Sequence, residues 1–177
     1  MEPIVRKTFD SLQVEVYPDR QSMGQAAAAF VASAMKKHAE ETHETRMIFA
    51  AAPSQNEMLD ALVADKSLDW SRVRGFHMDE YLGLSPDHSA SFRNFLRKKI
   101  FDRVGISPEK LHLIPGERTE RPLLACLGYE ELLRTYPVDI LCAGIGENGH
   151  LAFNDPPVAD FLDPVKIKIV RLDPVCR

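Results

Sequence analysis

The chain has 177 residues, 45% of them hydrophobic, and a formal net charge of −4 at pH 7. This length and apolar content suit one globular domain over residues 1–177. The negative charge argues against nucleic-acid binding, because proteins of that class concentrate Lys and Arg against the phosphates. No apolar run approaches the roughly 20 residues that cross a bilayer, and the N-terminal residues lack a signal-peptide pattern. Three widely spaced cysteines form no CxxC pair, so we expect a soluble, cytoplasmic protein without membrane partners.

The N-terminal part of the chain predicts a hairpin followed by a long helix. Two short β-prone runs, residues 4–9 and 12–17, surround Asp10 and Ser11, which are turn-forming residues. The Ala-rich stretch 19–41 then carries apolar residues near helical spacing, with Lys residues towards its end.

From residue 47 onward, apolar β-prone runs alternate with segments of helical periodicity. In chain order they predict a strand over 47–51, a helix over 58–63, a strand over 73–78, a helix over 91–104, a strand over 111–114, a helix over 123–136, and strands over 138–143 and 166–172. This alternation predicts an α/β fold with a doubly wound, mostly parallel, Rossmann-like sheet and helices on both faces. The last run lies so close to Arg177 that we expect the domain to be incomplete at its C-terminus.

Three loops that follow predicted strands hold the polar residues suited to chemistry: 52–55, 79–89 and 144–155. Ligands of open α/β sheets bind beyond the carboxyl ends of the strands. Residues about seventy positions apart are therefore expected to converge on one crevice.

The loop after the last buried strand reads GIGENGHLAFNDP over 144–156. Its glycines, Gly144, Gly146 and Gly149, allow the backbone to approach a ligand closely. His150 follows at once, and the first strand is not followed by a dinucleotide-binding fingerprint. We therefore expect no nicotinamide cofactor.

Adjacent carboxylates, Asp79 and Glu80, end the strand predicted over 73–78. Side chains of successive strand residues point in opposite directions. We assign Asp79 to the crevice and Glu80 to the support of a neighbouring element. A partly desolvated carboxylate has a raised proton affinity and suits a general base. The remaining histidines are not spaced for a shared metal site, so we expect no metal.

Together these segments resemble the glucosamine-6-phosphate deaminase family, which forms one superfamily with the 6-phosphogluconolactonases. The resemblance rests on MDEY at 78–81, His-Ser at 88–89, Ser-Phe at 91–92 and the 144–156 loop. The lactonase branch typically continues with His-Thr-Ala-Ser after the last glycine of this loop. Here His150 is followed by Leu-Ala-Phe-Asn, which favours the deaminase branch.

The resemblance implies conversion of glucosamine 6-phosphate into fructose 6-phosphate with release of ammonia, without a cofactor. Asp79 matches the aspartate that moves a proton from C2 to C1 of the open-chain sugar, and His150 matches the histidine that assists ring opening. Asp155 stands where members commonly have a glutamate that holds this histidine. Asn148 stands where some members have an aspartate, and its amide can orient an imidazole by hydrogen bonding.

The resemblance also assigns the sugar phosphate to the loop after the first parallel strand. Family members usually have a TGxTP-like sequence there, whereas this chain has Ala52, Pro53, Ser54 and Gln55. Ser54 and Gln55 still offer hydrogen-bond donors beside a predicted helix N-terminus, which attracts anions. A phosphate-binding lysine that the family carries late in its chain has no counterpart before Arg177.

Two alternatives to a deaminase stay open. One is hydrolysis of a 6-phosphogluconolactone. The other is a sugar-phosphate sensor without catalysis, suggested by the altered loop at 52–55 and by Asp155. All three readings share a small sugar phosphate as partner, exclude nucleic acid and membranes, and leave a homo-oligomer open.

Overall fold

A computed structural model describes residues 2–172 and opens with an antiparallel hairpin. Strand β1 (Val5–Phe9) pairs with β2 (Leu12–Val16), with Val5 opposite Val16. Asp10 adopts a positive φ of 50° in the turn, a conformation that Asp tolerates better than most residues. The predicted hairpin is confirmed.

Helix α1 (Arg20–Glu41) begins and ends where its capping groups lie. The carboxylate of Asp19 accepts a hydrogen bond from the Ser22 amide at 2.7 Å, which satisfies one of the free N–H groups of the first turn. At the other end the Thr42 amide donates to the His38 carbonyl at 2.9 Å. The helix predicted over 19–41 is confirmed, and its inner face is buried.

The central sheet contains four parallel strands in the order β5-β4-β3-β6. They are β3 (Thr45–Phe49), β4 (Val73–His77), β5 (Leu111–His112) and β6 (Ile140–Cys142). The connecting helices are α2 (Asn56–Ala64), α3 (Phe92–Lys99) and α4 (Pro122–Thr135). Among residues 2–172, no helix is long and apolar enough to pass through a membrane.

The two faces of the sheet are covered by different helices. One face forms the main core, in which Met47 and Phe49 of β3 are fully buried and pack with side chains of α1, α2 and α3, including Leu59 and Leu96. On the other face, the ring of Phe76 contacts Tyr129 of α4 with 6.0 Å between ring centroids. These contacts confirm a doubly wound parallel sheet with helices on both faces.

The direction of winding reverses between β3 and β6. The chain proceeds from β3 to β4 to β5 in one direction, whereas β6 lies on the opposite side of β3. Loops that leave neighbouring strands in opposite directions open a crevice at the carboxyl ends of those strands. The loops after β3 and β6 border this crevice.

Strand β5 covers Leu111–His112 rather than the predicted 111–114. Side chains take the place of the backbone hydrogen bonds that would pair a longer strand with β4. The hydroxyl of Tyr129 accepts from the His77 amide at 3.1 Å and donates to the His77 carbonyl at 2.9 Å. The His77 Nε2 atom accepts from the Ile114 amide at 2.7 Å. Both backbone groups of His77 and the N–H of Ile114 are thus satisfied by side chains rather than by strand pairing.

Three further predicted boundaries are wrong. Helix α3 ends at Lys99 rather than 104, because Ile100 leaves helical geometry at φ −139° and a 3₁₀ turn follows. Strand β6 has three residues rather than the six of 138–143. Residues 166–172 form no strand, and no strand pairs with them within residues 2–172; instead most of them face the cavity described below.

Gly24 of α1 permits close contact with α2, and we expect its replacement to be destabilising. A Cβ atom at Gly24 would lie 2.9 Å from the Glu57 carbonyl carbon and from the Met58 nitrogen. Gly24→Ala should lower the free energy of unfolding by about 1–3 kcal/mol, since backbone cannot yield as a side chain can. Urea denaturation measures the change.

Gly128→Ala is the matched control, because Gly128 lies in α4 and a Cβ there meets nothing within 4 Å. It should raise the free energy of unfolding by up to about 1 kcal/mol through helix propensity. Equal signs for the two variants would contradict the packing role of Gly24.

Candidate active site

Asp79 lies two residues after the end of β4 and lines a cavity of about 620 Å³. Cavities of this size suit small ligands. The same cavity is also lined by Tyr81, Phe153 and much of the segment 159–172. Burial raises the pKa of Asp79 to about 7, and the negative charge of Glu80 contributes in the same direction. The cavity therefore contains a carboxylate that exchanges a proton near neutral pH.

Glu80 points to a different environment, and its side chain is fully buried with 0% exposed. Its carboxylate accepts five hydrogen bonds, from the amides of Tyr81, Phe92 and Arg93, the Ser91 hydroxyl and the Arg93 Nε. Burial alone would raise the pKa of Glu80, but the hydrogen bonds that the carboxylate accepts together outweigh burial and lower it. Adjacent carboxylates thus divide as predicted, Asp79 to the cavity and Glu80 to the start of α3.

We expect Glu80→Gln to destabilise the protein by about 3 kcal/mol, because it leaves the buried guanidinium of Arg93 without the fully buried carboxylate that compensates its charge. Arg93 is 7% exposed. Glu117 also pairs with Arg93, at 2.7 Å, but is 39% exposed. Glu117→Gln should therefore change the free energy of unfolding by less than about 1 kcal/mol. Chemical denaturation compares the two, and similar losses would contradict the assignment.

The glycine-rich loop after β6 surrounds His150 with polar partners. The His150 Nδ1 atom lies 2.7 Å from Asn148 Oδ1 and 3.0 Å from Asp155 Oδ1. Asn148 also donates to Asp155 at 3.0 Å, and Asp155 is 2% exposed. Two oxygens at Nδ1 favour a proton on that nitrogen and the lone pair on Nε2. The aspartate therefore reaches the imidazole directly.

The loop closes on itself through its glycines. The Gly146 amide donates to the His150 carbonyl and the Gly149 amide donates to the Gly146 carbonyl, both at 2.9 Å. Gly149 has a φ of +87°, which favours glycine. The imidazole of His150 lies directly against Gly146, where a Cβ would collide with the ring. The glycines thus determine both the turn and the position of the imidazole.

The loop after β3 meets the loop after β6 at the reversal of the sheet. Gln55 Nε2 donates to the Ala143 carbonyl at 3.3 Å, and a Cβ at Gly144 would lie 3.2 Å from the Ser54 hydroxyl. The predicted helix start is modified, because Pro53–Gln55 form a 3₁₀ turn before α2. Ala52 is extended immediately before this turn.

The predicted site residues fall into two neighbouring groups. Asp79 and Gly149 line the cavity, together with Leu151 on the other side of His150. His150 itself is not among the cavity-lining residues that the structure describes, and neither are Ser54, Gln55, Asn148 and Asp155. We expected the Asp79 carboxylate and the His150 imidazole to share one crevice. In the structure Asp79 shares the cavity with Gly149 and Leu151, the residues on either side of His150, and not with the imidazole itself.

Sequence reasoning missed the far wall of the cavity. Asp160, Lys166, Lys168 and Ile169 belong to this wall. The Lys168 ammonium group donates to the Asp163 carboxylate at 2.6 Å and to the Val158 carbonyl at 2.7 Å. The alternation over 166–172 was the only signal, and it predicted a strand. Within residues 2–172 no group of three or more His, Cys, Asp or Glu side chains is arranged to hold a metal ion.

A sequence model of the family of glucosamine-6-phosphate isomerases and 6-phosphogluconolactonase matches residues 18–153. The chain belongs to this family. Glucosamine-6-phosphate deaminase 2 of Giardia intestinalis is 43% identical over 99 residues, which are 55% of this chain and 37% of that protein. Glucosamine-6-phosphate deaminase of Shewanella halifaxensis is 32% identical over 149 residues, 82% of this chain and 55% of that one. The chain thus spans about half the length of the curated relatives it matches, or less.

Solved structures of the glucosamine-6-phosphate isomerase/6-phosphogluconolactonase family have the same fold. A monomeric glucosamine-6-phosphate deaminase superposes with a TM-score of 0.71 at 25% identity, covering 78% of this chain and 57% of that chain. A 6-phosphogluconolactonase from Thermotoga maritima has a TM-score of 0.66 at 22% identity, covering 73% and 58%. Both branches of the family share the parallel sheet that carries the candidate site.

Proposed function

We propose that this chain, acting as one domain over residues 1–177, carries catalytic residues of a glucosamine-6-phosphate deaminase. The reaction converts glucosamine 6-phosphate and water into fructose 6-phosphate and ammonia. The observation that carries the proposal is the mostly buried Asp79 carboxylate, whose pKa is raised to about 7 by burial beside a cavity of suitable size. The names of curated relatives from Giardia intestinalis and Shewanella halifaxensis support the same activity.

In the proposed mechanism, ionised Asp79 removes the proton from C2 of the open-chain amino sugar while the ammonium group at C2 gives a proton to the C1 oxygen, giving an enolamine. The protonated carboxyl returns the carbon-bound proton to C1, which leaves an iminium group at C2. Water adds to C2 and ammonia leaves, so one water is consumed for each ammonia released. A carboxylate with a pKa near 7 suits both steps, because it can accept and donate a proton at neutral pH.

His150 is the proposed residue for ring opening. Asn148 and Asp155 hold the proton on Nδ1, so Nε2 carries the lone pair that exchanges protons with the sugar hydroxyl and ring oxygen. Because the imidazole lies beside the cavity rather than in its wall, substrate binding must bring the sugar to the edge formed by Gly149 and Leu151.

The phosphate of the substrate is proposed to bind where the loops after β3 and β6 meet. The segment before α2 consists of Ala52, Pro53, Ser54 and Gln55, and its last three residues form a 3₁₀ turn. Ser54 supplies a hydroxyl group and Gln55 supplies a side-chain amide. Gly144 lets the Ser54 hydroxyl lie close to the backbone, Gly146 accommodates the His150 imidazole, and Gly149 leaves open space in which a ligand can approach the backbone. A helix N-terminus supplies further attraction for an anion.

The test is to incubate the protein with glucosamine 6-phosphate and to measure ammonia and fructose 6-phosphate, which should form in equal amounts. A parallel incubation with 6-phosphogluconolactone tests the second candidate, a lactone hydrolase, because the matching family includes 6-phosphogluconolactonase as well. Turnover of the lactone alone would replace the deaminase by a hydrolase. Binding of glucosamine 6-phosphate by calorimetry without turnover of either compound would indicate a sensor.

A further inference from the structure

Three aromatic rings form a cluster between the loop that carries Asp79 and the loop that carries His150. The ring centroids of Tyr81 and Phe92 lie 5.0 Å apart, those of Tyr81 and Phe153 lie 5.2 Å apart, and those of Phe92 and Phe153 lie 5.5 Å apart. Phe92 and Phe153 are nearly parallel, with 27° between their planes. These separations are those of favourable aromatic pairs, and we call the three rings the aromatic cluster.

Each ring of the aromatic cluster comes from a different part of the candidate site. Tyr81 stands two residues after Asp79, and Phe153 stands three residues after His150. Phe92 is the first residue of α3, and its amide donates to the buried Glu80 carboxylate at 3.1 Å. The cluster therefore joins both loops to a helix whose position is held by a buried charge.

Contacts outside the loop are needed to determine where the loop of His150 lies in the protein. Hydrogen bonds within the loop set its own shape, namely those from Gly146 to His150, from Gly149 to Gly146 and from Asn154 to Leu151. Bonds of this kind do not determine where the loop lies relative to β4. Contact of Phe153 with Tyr81 and Phe92 does determine it, because close-packed rings cannot slide without losing contact area.

We propose that Phe153 is a positioning residue, which through the aromatic cluster sets the separation of Asp79 and His150. The proposal rests on the proposed function, since it assigns a role within that reaction. Displacement of a reacting group by about 1 Å is enough to slow catalysis roughly 10²-fold. Loss of the Phe153 ring should therefore lower kcat more than it alters KM.

The first experiment is steady-state kinetics of Phe153→Leu with glucosamine 6-phosphate. We expect kcat to fall about 10- to 100-fold while KM changes less than about threefold. Phe153→Tyr keeps the ring and should recover most of kcat. Phe30→Leu is the matched control, because Phe30 is 76% exposed on α1 and outside the cluster, and its kinetics should equal those of the unmodified protein.

The second experiment does not depend on activity. Amide hydrogen exchange of Gly146 and Gly149 should accelerate at least about tenfold in Phe153→Leu and stay unchanged in Phe30→Leu. Unchanged exchange in Phe153→Leu would overturn the proposal, and so would a change confined to KM, which would make Phe153 only part of the cavity wall. If the unmodified protein turns over neither substrate, the proposed function fails while exchange still decides the role of the ring.

Tyr81→Leu is the second variant in case Phe153→Leu does not fold. It removes another ring of the aromatic cluster and should accelerate exchange at Gly146 and Gly149 in the same direction. Protection equal to that of the unmodified protein would count against the proposal.

Discussion

Asp79→Asn is expected to lower the turnover of glucosamine 6-phosphate by between about 10²- and 10⁴-fold, because an amide cannot accept the proton from C2. The same substitution is expected to stabilise the protein at pH 8. Asn is nearly equal in size to Asp and needs no charge in the partly buried position beside the cavity. Loss of activity together with a gain in stability is the signature of a group retained for chemistry.

The sign of the stability change follows from the raised pKa of Asp79. The folded protein holds a proton on Asp79 up to a pH of about 7, whereas an unfolded chain releases it near a pH of about 3.9. The folded state therefore binds more protons within this interval, so the free energy of unfolding falls as the pH rises through it. At pH 8 the charged carboxylate costs on the order of 4 kcal/mol, and Asp79→Asn should recover part of this.

Two measurements check the prediction. The kcat/KM of the unmodified protein should rise with pH through a midpoint near 7, and urea denaturation at pH 8 should show the variant to be more stable. Asp87→Asn is the control, because Asp87 lies in the same loop and is exposed, so neither quantity should change. An Asp79→Asn variant with full turnover would remove Asp79 from the mechanism.

Gly146→Ala is expected to lower kcat about 10²-fold by displacing the imidazole of His150. The added methyl group would collide with the Cε1 and Nε2 atoms of the ring. The ring must then rotate away from Asn148 and Asp155, which hold its Nδ1 atom. Gly146 does not have a positive φ, so the backbone accepts Ala and the effect is confined to the side chains.

Gly105→Ala provides the comparison for Gly146→Ala. Gly105 also lies in a loop, lacks a positive φ, and a Cβ there meets nothing within 4 Å. Its kcat should be unchanged. NMR of the imidazole nitrogens reports the environment of the ring directly. A Gly146→Ala variant with shifted His150 resonances and full activity would show that the position of this imidazole is unimportant for turnover.

Local sequence patterns predicted most of the fold because they report which face of each element is buried. Two β-prone runs around turn-forming residues located the hairpin, and helical periodicity located α1 and α4 within one or two residues. The division of roles between Asp79 and Glu80 was also predictable, since neighbours at a strand end point in opposite directions.

Features set by distant partners were not predictable from local pattern. Alternation over 166–172 states which residues are apolar but not whether a neighbouring strand exists, and here the apolar residues face the cavity instead. The orientation of His150 depends on Asn148 and Asp155 together with the space left by Gly146. The sequence therefore predicted which loop carries His150 but not the orientation of its imidazole ring.

The Tyr129 hydroxyl, which bonds both backbone groups of His77, bears on how this fold can be re-engineered. In a chimaera that takes the 79–89 loop from another family member, the position of the backbone before the loop would still depend on Tyr129, about fifty residues downstream. We therefore expect such a loop to keep its position only if α4 is exchanged together with it. Evolutionary exchange of loops within this architecture is subject to the same requirement.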